Sequence, residues 1–156
     1  MMKRTKVAFI ASSGGHLEQI LRLRPLFLKY DSFLITEKTP YAASCPCERR
    51  YTLAQINRHE PLFPFKLILN AFSALYIFMK ERPDVVISTG ALACVPFCLI
   101  AKLIFRRKLI FIESFAKVST PTITGKLLYR FADRFYVQWE PMLKVYPKAL
   151  YLGGIY

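Results

Sequence analysis

The chain has 156 residues, 54% hydrophobic and 15% aromatic, with a formal charge of +13 from 23 Lys+Arg against 10 Asp+Glu. That length holds one domain with a real core and leaves no room for two, and the apolar content excludes disorder. The charge is spread along the chain, 11 basic and 5 acidic residues in 1–78 and 12 and 5 in 79–156, which excludes a basic tail. Such a field favours an anionic partner: nucleic acid, a phosphate-bearing ligand or an anionic bilayer surface.

The first predicted element is a buried strand at Lys6–Ala11 (KVAFIA), bounded by Ser12-Ser13-Gly14-Gly15. Helical periodicity follows through Leu17, Ile20, Leu21, Leu23 and Phe27. Residues 31–36 (DSFLIT) read as a second strand, 37–50 as a loop containing Pro40 and Pro46, and 51–56 as a third, weaker strand. A long helical pattern over 65–82 ends at Pro83. Residues 84–88 (DVVIS) form a strand, Thr89-Gly90 a turn, and 91–105 an apolar helix carrying Pro96. Lys108–Ile112 is a further strand. A loop with Pro121 leads into a helix that runs to about Ala132. Strands at 134–138 and 149–152 close the chain, with a short helix near 141–146 between them. Strands alternating with helices indicate βαβ units, hence an α/β, Rossmann-like, doubly wound parallel sheet in one domain.

The opening residues (MMKRTKVAFIAS) carry no long apolar stretch, so no signal peptide is expected, and the four cysteines are expected as reduced thiols in a cytoplasmic compartment. Cys45-Pro46-Cys47 and the Cys94/Cys98 pair, with no nearby histidine, fit zinc poorly, so no metal is expected. Cys94 and Cys98, one helical turn apart, read as core.

Ser13-Gly14-Gly15-His16 stands at the carboxyl end of the first strand, where open α/β sheets bind ligands. Two glycines allow positive φ and close approach of a ligand to the amides, and the following helix start suits a diphosphate. His16, at the helix start, is then a candidate base for an attacking hydroxyl. The same residues fit a plain tight turn with His16 as a cap. The G-x-G-x-x-G pattern is incomplete, which argues against a nicotinamide or flavin, and no cofactor is expected.

In the long helix, Lys66, Asn70, Ser73 and Lys80 fall in one narrow polar stripe, and Phe65, Phe72, Tyr76 and their neighbours make the rest of its surface apolar. The uninterrupted stretch between Lys66 and Lys80 is 13 residues, short of the ~20 a span needs. The expectation is a helix lying in the bilayer interface with Phe65, Lys66, Phe72, Tyr76 and Lys80 as membrane contacts; the other reading is burial against a partner or its own neighbours. The basic group at Lys102, Arg106, Arg107 and Lys108 fits headgroup contact or a solvated loop. Glu113, after a strand, reads on its own as a cap or a solvated carboxylate, and His59 as surface.

Taken together, Ser13-Gly14-Gly15-His16, the run Pro83 to Gly90, Ile112-Glu113-Ser114, Thr124 to Tyr129 with Ala132-Asp133-Arg134, and Tyr151-Leu152-Gly153-Gly154 resemble the asparagine-linked-glycosylation fourteen-like proteins. These include the bacterial PssD-type subunits of capsule and exopolysaccharide synthesis. The chain is similar, more distantly, to the N-terminal half of MurG. The resemblance covers nearly the whole chain. It implies one half of a GT-B glycosyltransferase, residues 1–156 being a single acceptor-binding domain. Such a half presents a polyprenyl-diphosphate-linked sugar at the cytoplasmic face of the membrane and activates a separate chain that holds the UDP-sugar. It further implies acceptor or phosphate contacts at Ser13, Gly14, Gly15, Thr89 and Gly90, His16 and Glu113 as catalytic candidates, and docking of the partner at Leu152, Gly153, Gly154, Ile155 and Tyr156. Eukaryotic members begin with a membrane-spanning helix that this sequence lacks, so attachment is expected to rest on the helix at 65–79. A stand-alone Rossmann enzyme acting on a nucleotide-linked small molecule needs a donor pocket and an acid–base pair that one half-domain does not show. A nucleic-acid module is suggested by charge alone, without a binding motif, and no nucleic-acid partner is expected.

Overall fold

Seven strands hydrogen-bond into one all-parallel sheet in the order β3-β2-β1-β4-β5-β6-β7 in the computed structural model, which describes residues 4–39, 45–57 and 59–156. The strands are β1 (Lys6–Ala11), β2 (Asp31–Glu37), β3 (Arg50–Leu53), β4 (Val85–Gly90), β5 (Lys108–Ile112), β6 (Arg134–Val137) and β7 (Leu150–Tyr151). Pro40, placed by sequence in the loop after β2, lies outside the described residues.

The helices are α1 (Gly15–Leu21), α2 (Arg24–Lys29), α3 (Phe63–Glu81), α4 (Val95–Leu99) and α5 (Ile123–Leu128). The periodicity at 17–27 is split between α1 and α2 because Pro25 is confined to the first turn of α2. Helix α3 starts two residues earlier than its pattern suggests, with Pro64 in its first turn, and stops at Arg82, whose φ of 49° is left-handed. The apolar run 91–105 is three pieces: a 3-10 turn at Leu92–Cys94, α4 with Pro96 at its start, and a π turn at Ile100–Ile104. Thr89 and Gly90, expected in a turn, complete β4. The third strand is shorter than its pattern and ends at Leu53.

Strand side chains alternate between two buried layers. On one face Ile10, Phe33, Ile35 and Phe111 meet Ala74 and Phe78 of α3, Phe97 of α4 and Leu128 of α5. Phe78 stacks on Phe105 with ring centroids 4.0 Å apart. On the other face Val7, Phe9, Leu34 and Ile87 meet Leu17, Ile20 and Phe27, and Phe9 stacks on Phe27 at 3.7 Å. Truncating a fully buried Phe in either layer costs about 3–5 kcal/mol. Helices α1 and α2 do not cover the whole second face. Beyond them a recess of about 340 Å³ is lined by Leu23, Leu26, Ile110, Tyr136, Leu152 and Ile155, among others.

Within the polar stripe of α3, Asn70 is buried and bonds both the amide and the carbonyl of Ala54, each at 2.8 Å. Asn70, Ala74, Ile77, Phe78 and Glu81 face the sheet, and Glu81 takes bonds from Lys6, Arg49 and Tyr51. The outward face is apolar, with Phe72 69% and Tyr76 66% exposed. In length and composition this helix could cross a membrane, yet its inner face docks it along the domain.

Candidate functional site

The chain leaves β1 at Ser12, whose amide donates to the carbonyl of Gly90 (3.0 Å) and so ties the end of β1 to the end of β4. Ser13 donates from both its amide and its hydroxyl to one oxygen of Glu37, at 3.2 and 3.1 Å. The other oxygen of Glu37 accepts from the amide of Ile56 at 3.2 Å. Glu37, buried at the end of β2, thus clamps the 12–15 turn to the 54–57 segment. Sequence reasoning passed over it; the available signal was a carboxylate ending an otherwise apolar strand, next to the ligand edge of the sheet. Gly14, with φ of 74°, precedes α1, and both Gly14 and Gly15 are exposed with open space where a side chain would stand.

His16 is held from behind by Thr89. The ring Nδ1 lies 2.6 Å from the Thr89 carbonyl, and the Thr89 hydroxyl donates back to the His16 carbonyl at 2.7 Å. A carbonyl only accepts, so Nδ1 carries the proton and Nε2 of the neutral ring keeps its lone pair. Gly90 has φ of 99°, and a Cβ there would sit 3.2 Å from the imidazole. The backbone angle favours glycine, and a side chain there would also crowd the ring. Thr89 and Gly90 are buried and support His16.

In front of His16 opens a cavity of about 580 Å³ at the carboxyl edge of the sheet. It is lined by His16, Glu37, the 55–57 segment, His59, Ala91–Ala93, Lys117 and residues 121–124. Of the residues picked out by sequence, only His16 lines it. Ser13, Thr89 and Gly90 stand in the supporting layer, and Gly14 and Gly15 are exposed at the start of α1. His59 is exposed, as expected, but it is also part of the cavity wall. Lys117 adds a cationic amine that the sequence reading did not assign.

Glu113 stands elsewhere. It is 1% exposed, and its carboxylate accepts four bonds: from the Ser114 amide (2.9 Å), the Thr122 hydroxyl (2.8 Å), the Thr122 amide (3.2 Å) and the Tyr146 hydroxyl (2.8 Å). A Cβ on Gly125 would fall 2.0 Å from this carboxylate. Burial, then the adjacent Glu113 charge, pushes the Tyr146 phenol upward, so it stays protonated and donating. Enclosed and fully bonded in this way, Glu113 pins the 114–122 loop, which carries Lys117, to the domain; the resemblance implied a catalytic part for it.

The terminal residues lie against the same region. The Ile155 amide donates to Gln138 at 3.0 Å, and Gln138 donates to Gln19 of α1 (2.9 Å) and to the Glu113 carbonyl (2.8 Å). Tyr156 meets Phe115 edge-on at 4.9 Å and lies under Arg22. Leu152 is 82% exposed at the rim of the apolar recess, and Gly153 has φ of 93°. Around α3, Lys66 pairs with Glu60, and the Lys80 amine lies over the Tyr51 ring at 5.3 Å. Lys102 and Arg107 are engaged by Asp133 and Asp84, leaving Arg106 and Lys108 as the exposed part of that basic group. Among the described residues no three His, Cys, Asp or Glu side chains gather as metal ligands.

The family described as "Oligosaccharide biosynthesis protein Alg14 like" matches residues 53–155. The chain is similar to the UDP-N-acetylglucosamine transferase subunit ALG14 of Homo sapiens, at 28% identity covering 96% of this chain and 82% of the relative. To its counterpart in Rattus norvegicus the identity is 30%, covering 94% and 81%. Among solved structures, MurG of Acinetobacter baumannii matches with a TM-score of 0.64 at 19% identity, over 85% of this chain and 41% of that one. UDP-N-acetylglucosamine 2-epimerase of Rickettsia bellii matches at 0.72 and 13%, over 97% and 45%. These structural likenesses show a Rossmann-like fold of the GT-B kind, and the chain spans less than half the length of either structure.

Proposed function

Because the chain belongs to the Alg14-like family of oligosaccharide biosynthesis proteins, we propose that it is the acceptor-presenting subunit of a two-chain UDP-N-acetylglucosamine transferase. The observation that carries this reading is the family itself: relatives covered to 82% and 81% of their own length are named as transferase subunits. The UDP-sugar is held by a separate chain. Residues 1–156 act as one domain, at the cytoplasmic face of a membrane. The PssD-type resemblance adds capsule or exopolysaccharide repeat-unit synthesis as the setting.

The acceptor is a sugar on a polyprenyl diphosphate. Its diphosphate meets the exposed Gly14 and Gly15 amides and the Lys117 amine, and its lipid stays with the apolar surface of α3. Gln55, Ile56, Asn57 and His59 of the cavity wall lie shortly before α3 in the chain, and Ile123, also in the wall, is itself 60% exposed. In the transfer step the acceptor hydroxyl attacks the anomeric carbon of the UDP-sugar. A new C–O bond forms, the bond to UDP breaks, and the hydroxyl proton passes to Nε2 of His16, which Thr89 holds in the accepting tautomer. Glu113, Glu37 and Thr89 position; His16 is the group that touches the reacting atoms.

The test is transfer of GlcNAc from UDP-GlcNAc to a polyprenyl-diphosphate sugar, measured for this chain, a donor-half partner, and both. Activity confined to the mixture supports the reading. Full activity from this chain alone would place a donor site within these residues and overturn it.

A further inference from the structure

At the amino edge of the sheet, away from the cavity, the short Cys45-Pro46-Cys47 run brings two half-buried thiols together with their sulfurs 3.0 Å apart. The Cys47 sulfur also lies 3.5 Å from the Arg49 carbonyl, and Arg50 donates to the Cys45 carbonyl at 3.4 Å. Cys47 lines a recess with the first residues of β1 and β2; its charged walls are Arg4, Lys6, Asp31, Glu48 and Arg49. Lys6 and Arg49 are paired with Asp31 and Glu81, so the basic group that favours a thiolate here is Arg50. The other two cysteines make the contrast. Cys94 and Cys98 are buried at 1% and 0% exposure within the core, and burial pushes both thiols up, Cys98 to about 12.

We propose that Cys45 and Cys47 are a reactive dithiol that exchanges with small disulfides of the glutathione class and closes reversibly to a Cys45–Cys47 disulfide. Cys45 is the attacking sulfur. The hydrogen bond from Cys47, partly opposed by burial and helped by Arg50, brings its thiol down to about 6, while the same bond pushes Cys47 up. The Cys45 thiolate attacks one sulfur of the small disulfide. A Cys45–S bond forms, the original S–S bond breaks, and one small thiolate leaves and takes up a proton. Cys47 then gives up its proton, attacks the Cys45 sulfur and expels the second small thiolate, which is protonated in turn. Two protein thiols and one disulfide become one protein disulfide and two small thiols, with two electrons transferred and no other oxidant. This chemistry does not depend on the transferase reading.

The experiment follows each cysteine of the full chain by mass mapping, during iodoacetamide labelling across pH and after equilibration in glutathione/glutathione-disulfide buffers. Cys45 is expected to label first of the four, with a rate that levels off by about pH 7 where an ordinary thiol is still rising toward its pKa of about 8.5. The wild type is expected to lose two hydrogens between Cys45 and Cys47 without retaining glutathione. Cys47→Ala should move the Cys45 midpoint upward and trap the glutathione adduct on Cys45, while His16→Ala leaves both behaviours unchanged. A Cys45 rate still climbing at pH 8.5, or a glutathione adduct that persists on the wild type with no internal disulfide, overturns the proposal.

Discussion

The base role proposed for His16 rests on its other nitrogen being occupied. The Thr89 carbonyl at 2.6 Å settles which nitrogen holds the proton, and Gly90 leaves room for the ring to stay there. Replacing His16 by Ala is expected to lower kcat of the reconstituted pair by about 10²–10⁴-fold while leaving the association of the two chains unchanged; an undiminished kcat rejects the base. Gly90→Ala combines a strained φ with a contact on the imidazole, so it should depress the same kcat without removing the histidine. The carboxylate at 113 belongs to stability. Tyr146→Phe removes a donor to a buried charge and should cost about 1.5–3 kcal/mol in chemical denaturation. Gly125→Ala drives a methyl into that carboxylate, and a loss of at least about 1–3 kcal/mol is expected. If either variant is as stable as the wild type, the bonding assigned to Glu113 is incorrect.

At the scale of elements, the apolar runs announced the strands well, since a parallel strand covered on both faces is a short apolar run whatever its neighbours. Lys108–Ile112 and Lys6–Ala11 were legible to the residue. The facing of α3 was not. Periodicity shows that Lys66, Asn70 and Ser73 share a stripe, but it cannot show that the backbone of Ala54 waits to satisfy Asn70, which lets a polar side chain point inward. Glu37 escaped for a related reason: its partners Ser13 and Ile56 are distant in sequence. Burying Asn70 and Glu81 leaves α3 with an outer face of large apolar side chains, the face proposed above to keep the lipid. Flotation with vesicles of mixed anionic and neutral lipid should recover the wild type, with recovery reduced by high salt. Phe72→Asp with Tyr76→Asp should lower vesicle affinity at least about ten-fold without loss of fold, because both side chains stand outside the core. Unchanged flotation of that double variant removes α3 as the lipid contact.

As a whole molecule the domain is lopsided. Three helices back one face of the sheet, whereas on the other α1 and α2 leave the recess beside β5 and β6 to the terminal residues. The half-enzyme proposal comes from the resemblance, and the doubly wound sheet was read from alternation. The unequal cover could not be read, because the final strand is two residues long and the segment after it has no periodicity. Removing residues 152–156 is expected to abolish co-purification with the donor half while the remaining chain keeps its circular dichroism; retained binding would place the docking surface elsewhere.

The cluster of Glu113, Thr122, Gly125 and Tyr146 also bears on how such a chain can diverge. Replacement of one member alone is costly: a methyl at 125 collides with the carboxylate, and an apolar residue at 113 leaves four donors without their acceptor. Drift at these four positions is therefore expected to be concerted. Lineages that have exchanged the acid should carry a different residue at 125 or 146 as well, so the quartet should register as a covarying set in an alignment even though only Thr122 among its members reaches the cavity.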